Sequence, residues 1–448
     1  MNLPLAFIEN TKRQLGEAYP SFQESLQQPA PVSIRINPKK YVAEENLPSV
    51  PWSKFGFYLS ERPVFTLDPL LHAGAYYVQE ASSMFLEQAV LQSAGDSESL
   101  NVLDLCAAPG GKSTHLLSLL NGKSLLVTNE VIRSRANILN ENITKWGNVN
   151  VITTSNDADA FQSLPLFFDL IVVDAPCSGE GLFRKEPDSL KEWSLQNIEL
   201  CYKRQRRILA NVWSSLKENG ILIYCTCTYN KFENEENLLW LSHQQNLAFV
   251  ELSIPDEWGI EKVEENKIVG YRFYPHRVKG EGFFISVVRK LEAKADHIRH
   301  GKSAKLIPLK KIPSQMSEWI IEPGDYTFFQ WGDTISFLPS GKISDAQIIV
   351  DRLNIISAGI TAGTLKHDKV IPEHSLAMSR ALNQENIHLL DLSLDEAREY
   401  LRRNSLNRAE NEKGFALATY KSLPLGWVNI LHNRINNLYP SNWRIRMA

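Results

Sequence analysis

Between residues 101 and 245 the chain repeats one unit: a short apolar run, a loop carrying polar or reactive side chains, and in most cases a helical stretch. The runs fall at 101–105, 124–129, 149–153, 170–174 and 221–225, and the helical patterns at 112–120, 134–146, 190–217 and 234–245. Few folds satisfy such alternation. Each helix must carry the chain back to the start of the next strand, which predicts an α/β fold with a doubly wound, mostly parallel sheet. In such a sheet the loops at the carboxyl ends of the strands share one edge, where ligands bind. Positions 106–112, 130, 157, 174–177 and 227 each follow one of the five runs, so they are expected to converge.

At 448 residues the chain exceeds one ordinary core. Residues 1–75, with an amphipathic stretch at 3–15 and a strand-like 32–36, read as a small α+β cap. The doubly wound domain spans 76–290 and closes on a late strand, 282–288, expected in a hairpin at the sheet edge. A basic linker follows at 291–313, then a small intermediate domain at 314–385 with short strands at 325–330 and 334–338. Residues 386–448, with a helical 394–403 and many turns and aromatics, read as a compact β-rich module.

Net charge is −3, which at first argues against a nucleic-acid partner, but segment 289–311 carries +6 and segment 411–448 carries +4. Local patches, not global charge, attract phosphate; the alternative is a solvated linker and a solvated face. No apolar run approaches the roughly 18 residues of a membrane span, and no basic region precedes the short apolar stretch near Met1, so neither a membrane nor a secretory route is expected. The five cysteines lack zinc-type spacing, so no metal is expected; a reducing cytoplasm suits free thiols.

The loop after the first run reads Asp104-Leu105-Cys106-Ala107-Ala108-Pro109-Gly110-Gly111-Lys112. Its tail imitates a phosphate-binding loop, but Cys106 stands where that motif needs glycine, and the dinucleotide fingerprint is absent. A cofactor without a phosphate to cradle fits better, and S-adenosylmethionine is the expectation. Glu130, twenty residues past Gly110, is placed to accept from both ribose hydroxyls, or else is an ordinary strand-end acid. Asp157 would accept from the adenine amino group, with Asn156 and Asp159 as rivals.

Two thiols lie at the same expected edge, in Asp174-Ala175-Pro176-Cys177-Ser178-Gly179 and in Tyr224-Cys225-Thr226-Cys227-Thr228. They suit methylation at carbon 5 of a cytosine. A thiolate adding to carbon 6 turns carbon 5 into a nucleophile; the carbon-5 proton must then leave and the thiol be expelled. A thiol of ordinary pKa, ~8.5, needs an electropositive setting for this. Asp174 is expected to hydrogen-bond ring nitrogen 3, with burial raising its pKa, and Pro176 to aim Cys177 into the pocket. Cys106, Cys201 and Cys225 read as small core residues, although strand alternation puts Cys225 on the same face as Cys227 and leaves the choice between those two open.

At these residues the chain resembles the Sun-type RNA cytosine-C5 methyltransferases, in their RsmF-like branch. The resemblance is carried by Ser33-Ile34-Arg35-Ile36-Asn37, Tyr77-Val78-Gln79-Glu80-Ala81-Ser82-Ser83-Met84, the 104–112 loop, Asp174-Ala175-Pro176-Cys177-Ser178-Gly179-Glu180-Gly181 and Thr226-Cys227-Thr228, and covers residues 1 to about 290. It implies a class I S-adenosylmethionine-dependent methyltransferase fold, with Cys227 as nucleophile and Cys177 assisting release. It also puts cofactor contacts on Cys106, Ala107, Ala108, Pro109, Gly110, Gly111, Lys112, Glu130, Asp157 and Asp174. Leu425-Gly426-Trp427, Tyr439-Pro440 and Trp443 are similar to a PUA-like RNA-binding module. The implied partner is ribosomal RNA of the small subunit (16S), bound by a cytoplasmic monomer. Alternatives are a transfer-RNA methyltransferase of the same chemistry or a catalytically silent RNA-binding assembly factor. A DNA cytosine methyltransferase would use the cysteine beside proline and leave Thr226-Cys227-Thr228 without a place.

Overall fold

Strands Asn101–Asp104, Leu125–Asn129, Val151–Thr154, Phe168–Asp174 and Leu216–Thr226 are apolar on both faces, as strands covered by helices on each side must be. In the computed structural model, which describes residues 2–42, 46–95, 98–292, 306–366, 369–408 and 410–447, these five pair in parallel. Asn101–Asp104 lies between Leu125–Asn129 and Phe168–Asp174, so the chain winds outward from it in both directions and the strand order reverses there. That reversal opens a crevice at the carboxyl edge. The expected helix at 190–217 is two helices, Ser189–Glu192 and Leu195–Trp213. Ser194 caps the second by accepting from Asn197 N at 3.0 Å, and from Leu216 onward the chain is already strand.

The late strand, Phe283–Lys290, is not at the edge. It pairs antiparallel with Leu216–Thr226 on one side and Ile268–Phe273 on the other, and the edge falls to Glu261–Glu265. Its run of apolar residues, buried on both faces, marks an interior strand, while the charged 261–265 can face solvent.

The opposite edge is supplied from far along the chain. Ile355–Ala358, within the expected intermediate domain, adds antiparallel to Val151–Thr154. The Asn156 side chain locks the junction: its Oδ1 accepts from Asn354 N at 2.9 Å and its Nδ2 donates to Asn354 O at 3.2 Å. The rest of that region forms the sheet Tyr326–Trp331, Thr334–Pro339, Ile360–Lys366 and Lys369–Pro372. A further sheet follows at His388–Asp391, Gly414–Tyr420, Leu423–Ile430 and Ile435–Asn437. The two share a core in which Trp319 and Trp427 rings lie 5.7 Å apart.

At the other end of the chain, Val32–Ile36, Gly56–Leu59 and Tyr76–Val78 make a small antiparallel sheet, so strand 76–78 belongs with the cap rather than beyond it. Arg35 crosses from this sheet, fully buried, to donate to Gln79 Oε1 (2.8 Å) and Thr114 Oγ1 (2.6 Å), with its guanidinium 4.6 Å from the Trp146 ring.

Of the basic segment 289–311, residues 293–305 lie outside the described residues. Its first two cations are structural rather than phosphate-facing. Lys290 is buried and donates to Trp213 O (3.0 Å) and Leu216 O (2.7 Å), burial lowering its pKa to about 8. Arg289 donates to Asn219 O and Ser93 O. Among the described residues no helix is long and apolar enough to cross a membrane.

Because two hydrogen bonds to the Asn354 backbone depend on one side chain, Asn156→Ala is expected to cost ~2 kcal/mol of stability. Urea unfolding would measure it; an unchanged midpoint would mean that other contacts hold the added strand.

Candidate active site

The loop after Asn101–Asp104 ends at Gly110, whose φ of +120° lies outside the range most side chains adopt, and Gly111 opens the helix Gly111–Leu119. Arg135 donates to Ala108 O at 3.0 Å and Asn142 to Pro109 O at 2.8 Å, pinning the loop from outside. Beneath it Asn129 donates to Leu105 O and Asn156 O, both at 3.0 Å, tying together the loops of three adjacent strands. A cleft of ≈ 170 Å³ lies in front, lined by Cys106–Pro109, Gly111, Lys112 and Asp174 on one side and Tyr77–Glu80 and Ser83 on the other.

Asp104, at the root of the loop, is fully buried. Its Oδ2 accepts from Ser113 Oγ at 2.6 Å while Oδ1 has no partner among the described residues, and burial raises its pKa to about 7. A buried carboxylate oxygen left open beside a ligand loop suits a donor group on the ligand. Glu130 is also buried: it accepts from Ile132 N at 3.0 Å and pairs with Arg135 at 3.3 Å. Asp157 takes both arms of Arg207, at 2.7 and 3.1 Å, and these bonds hold its carboxyl below the usual range. Neither acid lines the cleft; both lie further along the same sheet edge.

Asp174 is not the buried acid expected from the sequence. Its side chain is 36% exposed and lies 2.8 Å from Lys112 Nζ. Burial works against the Lys112 charge, but the attraction and hydrogen bond of Asp174, together with Cys225 and Asp104, outweigh it and lift the ammonium's pKa. Lys112, read from the sequence only as part of the cofactor loop, therefore points across to Asp174, with the Phe283 ring 5.2 Å away.

The thiols meet because Asp174 and Cys225 are partners in the parallel ladder, so the two loops leave the sheet side by side. Cys177 Sγ and Cys227 Sγ are 3.0 Å apart, and Cys227 N donates to Cys177 Sγ at 3.3 Å. The neighbouring thiol, reinforced by burial, pushes the Cys177 thiol's pKa up. Cys225 is wholly buried in the core, and burial raises its pKa well above the ordinary thiol value. Alternation no longer applies to Cys227, because the strand ends at Thr226 and the chain turns there toward Cys177. Cys201 is buried in the helix Leu195–Trp213, whereas Cys106 is partly exposed.

Sequence reasoning missed two buried acids behind the thiols. Glu233 Oε1 accepts from Ser178 N (2.9 Å) and Gln205 Nε2 (3.0 Å), its Oε2 lies at hydrogen-bond distance from Ser178 Oγ, and the same Gln205 amide reaches Pro176 O (3.0 Å). Glu180 accepts from Thr228 Oγ1 (2.9 Å), Tyr229 N (3.2 Å), Trp193 Nε1 (3.0 Å) and Asn230 Nδ2 (3.4 Å). These acids clamp one cysteine loop to the other. The only signal in the sequence is an acid among turn residues, Gly179-Glu180-Gly181, and the first acid of Glu233-Asn234-Glu235-Glu236, neither distinguishable from a surface acid.

Residues 90–289 match the family model of the 16S rRNA methyltransferase RsmB/F, residues 3–81 the N-terminal domain of 16S rRNA methyltransferase RsmF, and residues 388–445 the RsmF PUA domain. The chain belongs to the RsmB/F methyltransferase family. It is 29% identical to the ribosomal RNA small subunit methyltransferase F of Citrobacter koseri, over 95% of this chain and 94% of that one. The protein of the same name from Vibrio vulnificus is also 29% identical, over 98% and 97%. Among solved structures, a methyltransferase homolog protein from Pyrococcus horikoshii is 26% identical with a TM-score of 0.53, covering 64% of this chain and 100% of that one. The NSun6 protein of the same organism, solved with SFG, shares the fold at 21% identity and a TM-score of 0.55, over 64% and 98%. As an RsmB/F-family methyltransferase the chain thus has its N-terminal domain, its catalytic sheet and a C-terminal PUA domain.

In the native protein a maleimide is expected to label Cys106, Cys177 and Cys227 and to spare Cys225 until denaturant is added. Mass spectrometry of the labelled peptides would read this out. Labelling of Cys225 at the rate of Cys227 would contradict the packing described.

Proposed function

We propose that this RsmB/F-family chain uses S-adenosylmethionine to methylate carbon 5 of a cytosine in small-subunit (16S) ribosomal RNA, with Cys227 attacking carbon 6 and Cys177 completing release. The observation that carries this reading is the pair of thiols 3.0 Å apart, on the sheet edge that also bears the Lys112–Asp174 pair and the cofactor-type loop.

The loop Cys106–Lys112, the open Asp104 oxygen beneath it and Glu130 beside it fit S-adenosylmethionine and would hold it, with Asp157 further along the edge. When bound, that cofactor supplies an electrophilic methyl group. The chain's own residues prepare the base. Cys227, as thiolate, forms a bond to carbon 6, and the electron pair of the 5,6 double bond moves onto the ring. Asp174 binds the ring nitrogen 3 edge and the Lys112 ammonium, held to it at 2.8 Å, stabilises the charge that develops there. After carbon 5 has gained the methyl group, Cys177 removes the carbon-5 proton. The electrons of that C–H bond restore the double bond, and the Cys227 sulfur leaves carbon 6. Phosphate contacts fall to the PUA domain, whose segment 411–448 contributes Lys413, Lys421, Arg434, Arg444 and Arg446. The target base must be swung out of its strand to reach the thiols.

The relatives named ribosomal RNA small subunit methyltransferase F and the PUA match support ribosomal over transfer RNA. Bisulfite sequencing of both RNA pools, with and without the protein, tests the target: a protein-dependent 5-methylcytosine is expected in 16S RNA, and one confined to transfer RNA would overturn the assignment.

The two thiols should separate kinetically. Cys227→Ala is expected to abolish methyl transfer while leaving S-adenosylmethionine affinity by calorimetry within about twofold, because the thiol touches the base. Cys177→Ala is expected to accumulate a covalent protein–RNA band on denaturing gels, since addition needs only Cys227. Absence of that band, together with normal turnover, would remove Cys177 from the mechanism.

A further inference from the structure

Between the two buried acids behind the thiols runs a line of oxygens whose hydrogens can be counted. Ser178 Oγ contacts Glu233 Oε2 and lies 3.0 Å from Thr228 Oγ1, which lies 2.9 Å from Glu180 Oε2. Three contacts at hydrogen-bond distance need three hydrogens, and the two hydroxyls supply only two. The third must sit on a carboxyl group.

The donors around each acid decide which. Glu180 Oε2 also faces the Tyr229 N–H, and its Oε1 faces Trp193 Nε1–H and an Asn230 amide hydrogen, so both oxygens must accept. Glu233 Oε1 likewise accepts from Ser178 N and Gln205 Nε2. Among the described residues Glu233 Oε2 meets the Ser178 hydroxyl alone. We infer that Glu233 bears a proton on Oε2 and heads a one-way chain, Glu233 to Ser178 to Thr228 to Glu180, which makes these two acids the positioning residues of the thiols. Ser178 directly follows Cys177 and Thr228 directly follows Cys227, so the chain fixes one sulfur against the other. The role assigned to the acids rests on the two-thiol reading above; the proton assignment rests on the hydrogen count alone.

The surroundings agree. Burial, helped by repulsion from Glu180, outweighs the contacts from Ser178 and Gln205 and raises the Glu233 pKa to about 7, and burial raises Glu180 as well. The titratable groups facing Glu233 are Glu180, which raises its pKa, and Cys177, Cys201 and Tyr224, whose own ionisation Glu233 opposes; none of these brings a positive charge to it. No cation is among the main influences on Glu233: Arg272 pairs with Glu235, Arg206 donates to Asn237, and Arg204 acts on Cys201. Ionisation of Glu233 would remove the hydrogen that joins it to Ser178 and put a charge beside Cys177, disfavouring its thiolate.

Amide substitutions distinguish the two acids. In Glu233→Gln the amide nitrogen can take the place of Oε2 and donate to Ser178, while the amide oxygen keeps the two donors. In Glu180→Gln either orientation turns an N–H against N–H donors. With the full chain, S-adenosylmethionine and substrate RNA, kcat and cofactor affinity are measured from pH ~6 to ~9, and thermal unfolding of the free protein from pH ~4 to ~8. Glu233→Gln is expected to stay within about threefold of wild type near neutrality and to lose the wild-type decline that follows Glu233 ionisation. Glu180→Gln is expected to lose at least about tenfold throughout, with cofactor affinity retained.

Unfolding supplies a readout independent of catalysis. Glu233 binds its proton more tightly folded, at about 7, than at its ordinary 4.5. Its contribution to stability is therefore complete below about 4.5 and is lost as pH rises through about 7. Glu233→Gln should flatten that slope. A folded Glu233→Gln protein with kcat down about tenfold, or with a wild-type unfolding slope, overturns the proton assignment. Retained activity in Cys227→Ala would instead overturn the two-thiol reading and leave the unfolding test standing.

Discussion

The ladder between Phe168–Asp174 and Leu216–Thr226 sets the distances on which the site depends. Asp174 faces Cys225 across it, so two loops separated by fifty positions in sequence begin at one point in space. Backbone hydrogen bonding fixes that starting point, and a slip of a single residue would turn every side chain to the opposite face of the sheet. The buried packing on both sides of these strands excludes such a slip. The close approach of the sulfurs is thus inherited from sheet register and refined by the acids behind them.

Charge is distributed unevenly around this point. In front, toward the cleft, Lys112 and Asp174 form a partly exposed pair with room for a polar ring to engage it. Behind, Glu180 and Glu233 are sealed among hydroxyls, amides and an indole. Coulombic forces in a dry interior are strong, so acids there would disturb the thiols unless every oxygen had a hydrogen-bond partner. Four of the residues that meet those oxygens, Ser178, Thr228, Tyr229 and Asn230, belong to the cysteine loops, which couples electrostatic neutrality to geometry.

Much of this was legible in the sequence. The five parallel strands lie within a few residues of their apolar runs, and the spacing of loop residues gave the shared edge, because strand burial leaves an alternation that local pattern can report. What failed was whatever depended on partners distant in sequence. Phe283–Lys290 reads as a strand, but nothing local says that it is interior. Ile355–Ala358 reads as a short apolar segment, and its pairing with Val151–Thr154 has no local signature. Lys290 looked like a phosphate ligand because its burial against Trp213 and Leu216 carbonyls is a tertiary fact. Glu180 and Glu233 were invisible for the same reason: an acid shows its function only once its donors are known.

The strand at 355–358 has a bearing on how the chain is made. A ribosome releases Val151–Thr154 some two hundred residues before the segment that will cover its open side. For that interval the catalytic sheet carries an unpaired edge, the feature through which nascent chains pair wrongly with one another. Completion of the fold waits on the arrival of the C-terminal region, which ties maturation of the catalytic sheet to synthesis of the part of the molecule that follows it.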